Sequence, residues 1–211
     1  MKRVDRTLLL TTALCLAPML LAAALYGRLP ERVPVHWNFA GEVDGWASRA
    51  FAGLGIPALL AGLNLLVHAA LRLDPRRAGI ARPLRVIVQW TAPGASLLCV
   101  PLMLACALGV DPPVERLVPA ACGLLLAVTG NYLPKTRRSW LAGVRLPWTL
   151  CSEENWRRTN RAAGAGIVAS GVVMLALAWA LPRAAWLGLA LLMAVLLASC
   201  AYSFALWRRG V

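Results

Sequence analysis

Apolar residues dominate six long stretches of this chain, at about 7–25, 51–71, 86–109, 117–133, 162–181 and 184–206, and the charged residues collect between them. A helix that crosses the hydrocarbon core of a bilayer needs about 20 predominantly apolar residues, and each stretch is close to that length. The pattern predicts an all-α protein, a polytopic membrane helical bundle of about six transmembrane helices. Pro182 and Arg183 leave only a short break between the last two stretches, which predicts a tight helical hairpin.

Composition agrees with the pattern. Of 211 residues, 60% are hydrophobic, and the mean hydropathy is +0.66. That is more apolar surface than one water-soluble core of this size needs. The net charge of +13 raises the question of a polyanionic partner. The basic residues sit in short connections and not on one soluble face, and no zinc-finger, helix-turn-helix or RNA-binding signature accompanies them. Anionic lipid headgroups account for the charge, so the lipid bilayer is the expected partner and direct nucleic-acid binding is not.

With the connections assigned alternately to two sides, seventeen of the 22 Lys and Arg fall on the side of the N-terminal tail, the 72–85 and 133–161 connections and the C-terminus. The excess of basic residues on the cytoplasmic side of membrane proteins then places both termini in the cytoplasm of a bacterial inner membrane. Lys2 and Arg3, an apolar core and the small residues Ala22–Ala24 also read as a signal peptide. The apolar run is longer than a usual signal core and six spans keep the charge asymmetry consistent, so a retained helix is the expectation.

Five of the six cysteines, Cys15, Cys99, Cys106, Cys122 and Cys200, lie in apolar runs, and Cys151 lies in a basic connection. None has metal-ligand spacing, and neither a disulfide nor a cofactor is expected. Pro93, Gly94 and Pro101, with Gln89 and Ser96, allow either a kinked third helix or a broken one of the transporter type, and kinks are the simpler reading. Ala162, Gly166 and Ser170 recur every four residues on the fifth helix and favour close helix packing. Asn64 and His68 share one face of the second helix, where hydrogen bonding between helices is the simpler reading than a functional pathway.

Two connections carry motifs. In the first, at 27–50, Pro30 and Pro34 disfavour helix. Val33, Val35, Trp37 and Phe39 alternate with Pro34, His36 and Asn38, which describes an extended ribbon with unlike faces. Gly41 and the Asp44–Gly45 pair supply turn chemistry, and Ser48 is placed to cap the next helix. Trp37 and Trp46 suit the headgroup region. His36, Asn38, Glu42 and Asp44 either converge on a ligand or tie the loop to itself. One histidine with two carboxylates and no HExxH pair is poor zinc chemistry, and no metal site is assigned.

The second motif connection, at 133–161, is basic. It is entered through Gly130, Asn131, Tyr132, Leu133, Pro134 and Lys135 and continues through Gly143, Val144, Arg145, Leu146, Pro147, Trp148, Thr149 and Leu150. Ser152 can cap a new helix whose positive end suits Glu153 and Glu154, and Asn155, Trp156, Arg157, Arg158 and Arg161 follow before the fifth span. Trp140, Trp148 and Trp156 among arginines indicate an interfacial segment.

The two motifs together resemble the SdpI family. The first connection matches the family's Pro-x-His-Trp-Asn-x-x-Gly-x-x-Asp-Gly pattern at Pro34, His36, Trp37, Asn38, Gly41, Asp44 and Gly45. Residues 130–156 match its Gly-Asn-Tyr-x-Pro-Lys pattern, its Gly-Ile-Arg-Thr-Pro-Trp-Thr-Leu block and its acidic pair before Trp. Ser139, Leu146 and Asn160 stand where the family often has Asn, Thr and His.

The resemblance implies a division at 1–73 and 74–211. The first part is an N-terminal domain of two helices with an outer motif loop, and the second an SdpI-like region of four helices with a basic cytoplasmic loop. It also implies a non-enzymatic immunity and signalling protein that protects against a secreted toxin peptide and signals to a cytoplasmic transcriptional regulator. The expected ligand or signal site is His36, Trp37, Asn38, Gly41, Asp44 and Gly45. The expected cytoplasmic motif is Gly130, Asn131, Pro134, Lys135, Gly143, Arg145, Pro147, Trp148 and Trp156. A small transporter or channel using Asn64 and His68 is the alternative, and a membrane-embedded hydrolase with His36 as base is the second.

Overall fold

The computed structural model describes residues 5–38, 40–139 and 141–211, so Lys2, Arg3, Phe39 and Trp140 of the sequence reading lie outside it. Among the described residues, six helical segments are long and apolar enough to cross a membrane: Arg6–Leu25, Phe51–Leu73, Arg82–Ala107, Val114–Lys135, Glu153–Ala180 and Pro182–Arg208. Their outward faces carry exposed large apolar side chains such as Leu20, Leu59, Leu66 and Leu197. Helices close every backbone hydrogen bond internally, so such faces are stable against lipid and unstable against water. The chain is therefore a multi-pass membrane protein.

The first span consists of α1 (Arg6–Leu16) and α2 (Pro18–Leu25), joined through Ala17, which keeps helical dihedrals. Pro18 has no N–H to return to the preceding turn, which interrupts the hydrogen-bond ladder without ending the span. Asp5 caps α1 by accepting from the Thr7 and Leu8 amides at 3.0 and 3.3 Å. An antiparallel pair follows, β1 (Arg32–Trp37) and β2 (Val43–Ser48). The proline-rich ribbon thus exists as expected, and the strand that pairs with it is an addition to the all-α reading.

Ser48 Oγ accepts from the Phe51 amide at 3.2 Å, the expected cap, and a π turn at Phe51–Gly55 leads into α3 (Ile56–Leu73). The later helices are α4 (Arg82–Ala107), α5 (Val114–Tyr132), α6 (Pro147–Cys151), α7 (Glu153–Ala180) and α8 (Trp186–Arg208). Pro93 and Pro101 lie inside an uninterrupted α4, which removes the broken-helix geometry that a transporter site would use. The fifth span differs from expectation at its start. Ser152 accepts from the Asn155 amide at 3.2 Å, and one helix runs from Glu153 to Ala180, so Arg157, Arg158 and Arg161 are its opening turns. The last two spans form the expected hairpin through a tight turn at Pro182–Ala184.

The chain forms two compact units, one of Met1–Ala70 with Val88–Glu115 and one of Leu71–Ile87 with Arg116–Val211. In the first, Ala22, Leu29, Val100 and Leu104 form one buried cluster, and Val33, Ala52 and Met103 form another with Val35 and Trp37 against it. The apolar alternation of β1 is what seats the hairpin on the helices. Polar bonds within the spans add to this. Ser96 Oγ donates to the Cys15 carbonyl at 2.7 Å, and Asn64 Nδ2 donates to Thr11 Oγ1 and Thr12 Oγ1, both at 3.0 Å. His68 Nε2 lies 3.2 Å from Thr11 Oγ1, and Asn64 and His68 are both buried. This is helix-to-helix hydrogen bonding, the simpler of the two readings of that pair.

In the second unit, glycines let helices meet backbone to backbone. A Cβ on Gly171 would stand 2.5 Å from the Gly123 carbonyl oxygen, and one on Gly130 would stand 2.8 Å from that of Gly164. α5 and α7 therefore cross along a seam that tolerates no side chain. Gly166, on the stripe picked out from the sequence, instead meets Val195 of α8, where a Cβ would come within 2.5 Å of Val195 Cγ1.

Candidate functional site

The hairpin is built by its own polar residues. Asn38 Oδ1 accepts from the Ala40 and Glu42 amides at 2.9 and 3.0 Å, and the Asn38 amide donates to the Glu42 carbonyl at 2.9 Å. Gly41 completes the turn at φ +85°, a conformation that favours glycine. A Cβ on Gly41 would also crowd Glu115 Cβ at 3.2 Å.

Pairing along the strands is irregular. Pro34 faces Trp46, His36 faces Gly45 and Trp37 faces Val43, so Val35 and Asp44 are each an extra residue between paired positions. Such bulges re-aim side chains. Here Asp44 reaches across to His36, whose Nδ1–H donates to Asp44 Oδ1 at 2.5 Å. In the neutral ring this tautomer leaves Nε2 as an acceptor on a side chain that is 70% exposed. Gly45 makes room for the crossing, since a Cβ there would lie 2.7 Å from His36 Cβ.

The four polar residues of the first motif thus form two internal pairs, His36 with Asp44 and Asn38 with Glu42, the latter through Nδ2 to Oε2 at 3.1 Å. No group of three or more His, Cys, Asp or Glu among the described residues is placed to hold a metal ion.

Beside the pairs lies a groove of 410 Å³. Its apolar wall includes Trp37, Val43, Trp46 and Val110, and Arg32 and Asp111 supply one charge of each sign. Of the sequence-based site residues, only Trp37 and Gly41 line it. Val110 and Asp111 come from the connection after α4, which carries no motif, so nothing in the linear sequence pointed to them.

The motif around 130–156 has a different character. Gly130 sits at the α5/α7 seam, and Pro134 packs where a Cβ on Gly164 would stand. Lys135 Nζ lies 4.5 Å above the Tyr132 ring. Gly143 has φ +111° and abuts Trp156 and Asn160, so any Cβ there would collide with both. Trp156 is buried and its Nε1–H donates to the Thr136 carbonyl at 2.9 Å.

Asn160, at the position where the family often has His, accepts from the Val144 amide at 2.7 Å and donates to the Trp156 carbonyl at 3.0 Å. Pro147 opens α6, whose Trp148 stacks with Trp207 at 6.0 Å and meets Phe204 edge-on at 5.4 Å. Asn131, Pro134, Lys135, Arg145 and Pro147 are the exposed members of the set.

Residues outside the expected set complete this scaffold. Asn155 is fully buried; its Nδ2 donates to the Ser203 carbonyl at 3.0 Å, and its Oδ1 accepts from Ser203 Oγ at 2.9 Å and Thr159 Oγ1 at 3.1 Å. The four-residue spacing of Asn155 and Thr159 was the available sequence signal.

Six apolar spans, a self-braced hairpin beside a groove and a basic connection locked by buried polar bonds define the class: a multi-pass helical membrane protein with two structured connections. Residues 13–61 match the domain of unknown function DUF1648, and residues 135–203 match the SdpI/YfhL protein family. The immunity protein SdpI of Bacillus subtilis (strain 168) is 23% identical over 169 residues, covering 78% of this chain and 77% of that protein. No solved structure matches the chain significantly. The chain is similar to the SdpI family, as its two motifs implied. It is thus a membrane protein related to an immunity protein, a kinship that suggests a non-enzymatic role.

Proposed function

We propose that this chain protects the cell that carries it against a secreted, membrane-active peptide and relays the peptide's presence to a cytoplasmic transcriptional regulator. In this reading residues 1–73, joined at the groove by residues 106–111, are the receiving part, with the hairpin outside the cell. Residues 74–211 are the relaying part, with the 133–161 connection and both termini in the cytoplasm, a placement that the distribution of basic residues supports.

The observation that carries the proposal is the groove along the hairpin. Tryptophan and valine walls with one cation and one anion suit an amphipathic peptide better than a small polar solute. The His36–Asp44 and Asn38–Glu42 pairs serve by holding rigid the turn that carries Trp37 and Gly41 into the groove. Arg145 and Lys135, exposed on the braced connection, are the surface offered to the regulator.

The test is a killing assay with membrane-active peptides, including peptides made by close kin, on cells carrying the wild-type chain, His36→Ala with Asp44→Ala, Trp46→Ala, or an empty vector at matched membrane expression. Protection by the wild type and its loss in both variants is the expected result. Equal killing of all four strains across the panel would overturn the immunity reading.

A further inference from the structure

Two basic connections of the second unit are docked to each other through their backbones. The Arg137 amide donates to the Gly79 carbonyl at 2.8 Å, and the Ala81 amide donates to Thr136 Oγ1 at 3.4 Å. Gly79 permits this approach, because a Cβ there would lie 3.2 Å from Arg137 Cβ and 3.2 Å from the Arg138 carbonyl oxygen. Ile80, Leu84, Leu133 and Thr136 are buried around the junction, so its shape is fixed by packing.

Several arginines are brought together here. Arg77 Nη1 donates to the Arg72 carbonyl at 3.0 Å and Arg85 Nη2 to the Arg77 carbonyl at 2.5 Å, and both thereby fasten the 72–85 turn. Arg76, Arg137 and Arg138 line a cleft of 310 Å³ with Ala78, Gly79 and Glu153. One Arg138 nitrogen, Nη1, donates to the Leu150 carbonyl at 3.1 Å, which holds that guanidinium at the wall. Asp74 accepts from the Arg76 amide at 2.7 Å. The lining of the cleft thus carries three arginines and one carboxylate residue.

We propose that this cleft is a binding site for a phosphate group, at the depth of the lipid headgroups. The chemistry follows from arginine. Its planar fork matches phosphate oxygens two at a time and is more weakly hydrated than an ammonium, so several forks around one cavity select phosphate over a diffuse counter-ion. The depth follows from the chain. Arg76 lies between the end of α3 and the start of α4, and Arg137 and Arg138 come two and three residues after the turn that ends at Lys135. Those are the ends of apolar spans, where headgroups lie. A phosphate there joins the two connections across their seam. The site would be the same whichever side of the membrane the connections occupy, so it stands apart from the immunity reading.

The experiment is native mass spectrometry of the purified full chain with equimolar phosphatidylglycerol and monoglucosyl diacylglycerol, which has the same tails and no phosphate. The wild type is expected to retain phosphatidylglycerol about tenfold over the glucolipid, and Arg76→Gln with Arg137→Gln to remove most of that preference. Ala78→Asp, which puts a carboxylate at an exposed position in the cleft, is expected to do the same without deleting any side-chain bond. Arg208→Gln with Arg209→Gln removes equal charge at the C-terminus and is expected to leave the preference within about twofold. Displacement of the lipid by millimolar glycerol 3-phosphate would identify a free phosphate ester as an occupant, and failure to displace would identify the anchored headgroup. No preference in the wild type, or equal loss in the two arginine double variants, would overturn the proposal.

Discussion

The hairpin and the 130–161 region both carry strong sequence motifs, yet they use them in opposite ways. In the hairpin the polar motif residues bond to one another at the surface, whereas in the basic region Trp156, with Asn160 beside it, is buried and bonds to the backbone of other segments. An exposed pair held by a short turn contributes little to the fold and is open to a ligand. A buried residue that satisfies a distant amide cannot be changed without leaving that amide unpaired. A recurring motif therefore marks a constrained position, and burial decides whether the constraint is architecture or contact.

The contrast can be broken or sharpened by substitution. Gly171→Leu should have the largest effect, a loss of about 3 kcal/mol, because the α5 backbone leaves no room for a side chain. A collapse in the yield of monodisperse detergent-solubilised protein would register it, and normal yield would show that the seam yields. Gly143→Ala should cost about 2 kcal/mol from its left-handed backbone and the Trp156 and Asn160 contacts, read as a lower thermal midpoint.

Asn155→Ala should cost about 2 kcal/mol by stripping partners from Ser203 and Thr159. His36→Ala should cost under about 1 kcal/mol, since an exposed hydrogen-bonded pair contributes little to stability, while abolishing protection. A fall in thermal midpoint as large as that of Gly143→Ala would make the hairpin motif structural and end the contrast. Trp148→Phe should change stability least, within about 1 kcal/mol, because its buried Nε1–H has no acceptor to lose and the stacked ring is retained.

Much of this was legible in the linear chain. The six spans, the Ser48 and Ser152 caps and the hairpin at Pro182 depend on local composition and on the fixed dihedral of proline, so they could be read directly. The partner strand Val43–Ser48 was hidden by Gly45 and Ala47, small residues with weak strand preference that are strand here because β1 offers them a ladder. The groove was hidden for a different reason. Val110 and Asp111 join it from a connection far along the sequence, and no spacing rule links residues separated by two spans.

The sequence by itself determined the solvent of this protein, since runs of about 20 apolar residues are satisfied only in a bilayer. It also determined the turn at Asn38–Glu42, whose bonds are all local. Only the tertiary structure decided that Gly123, Gly130, Gly164 and Gly171 form one seam and that Asn160 braces Val144. It alone decided that Arg76 and Arg137 line one cleft. The physical reason is range. Local propensity acts over one or two helical turns, whereas close packing and buried hydrogen bonds join groups whose separation along the chain carries no information about their separation in space.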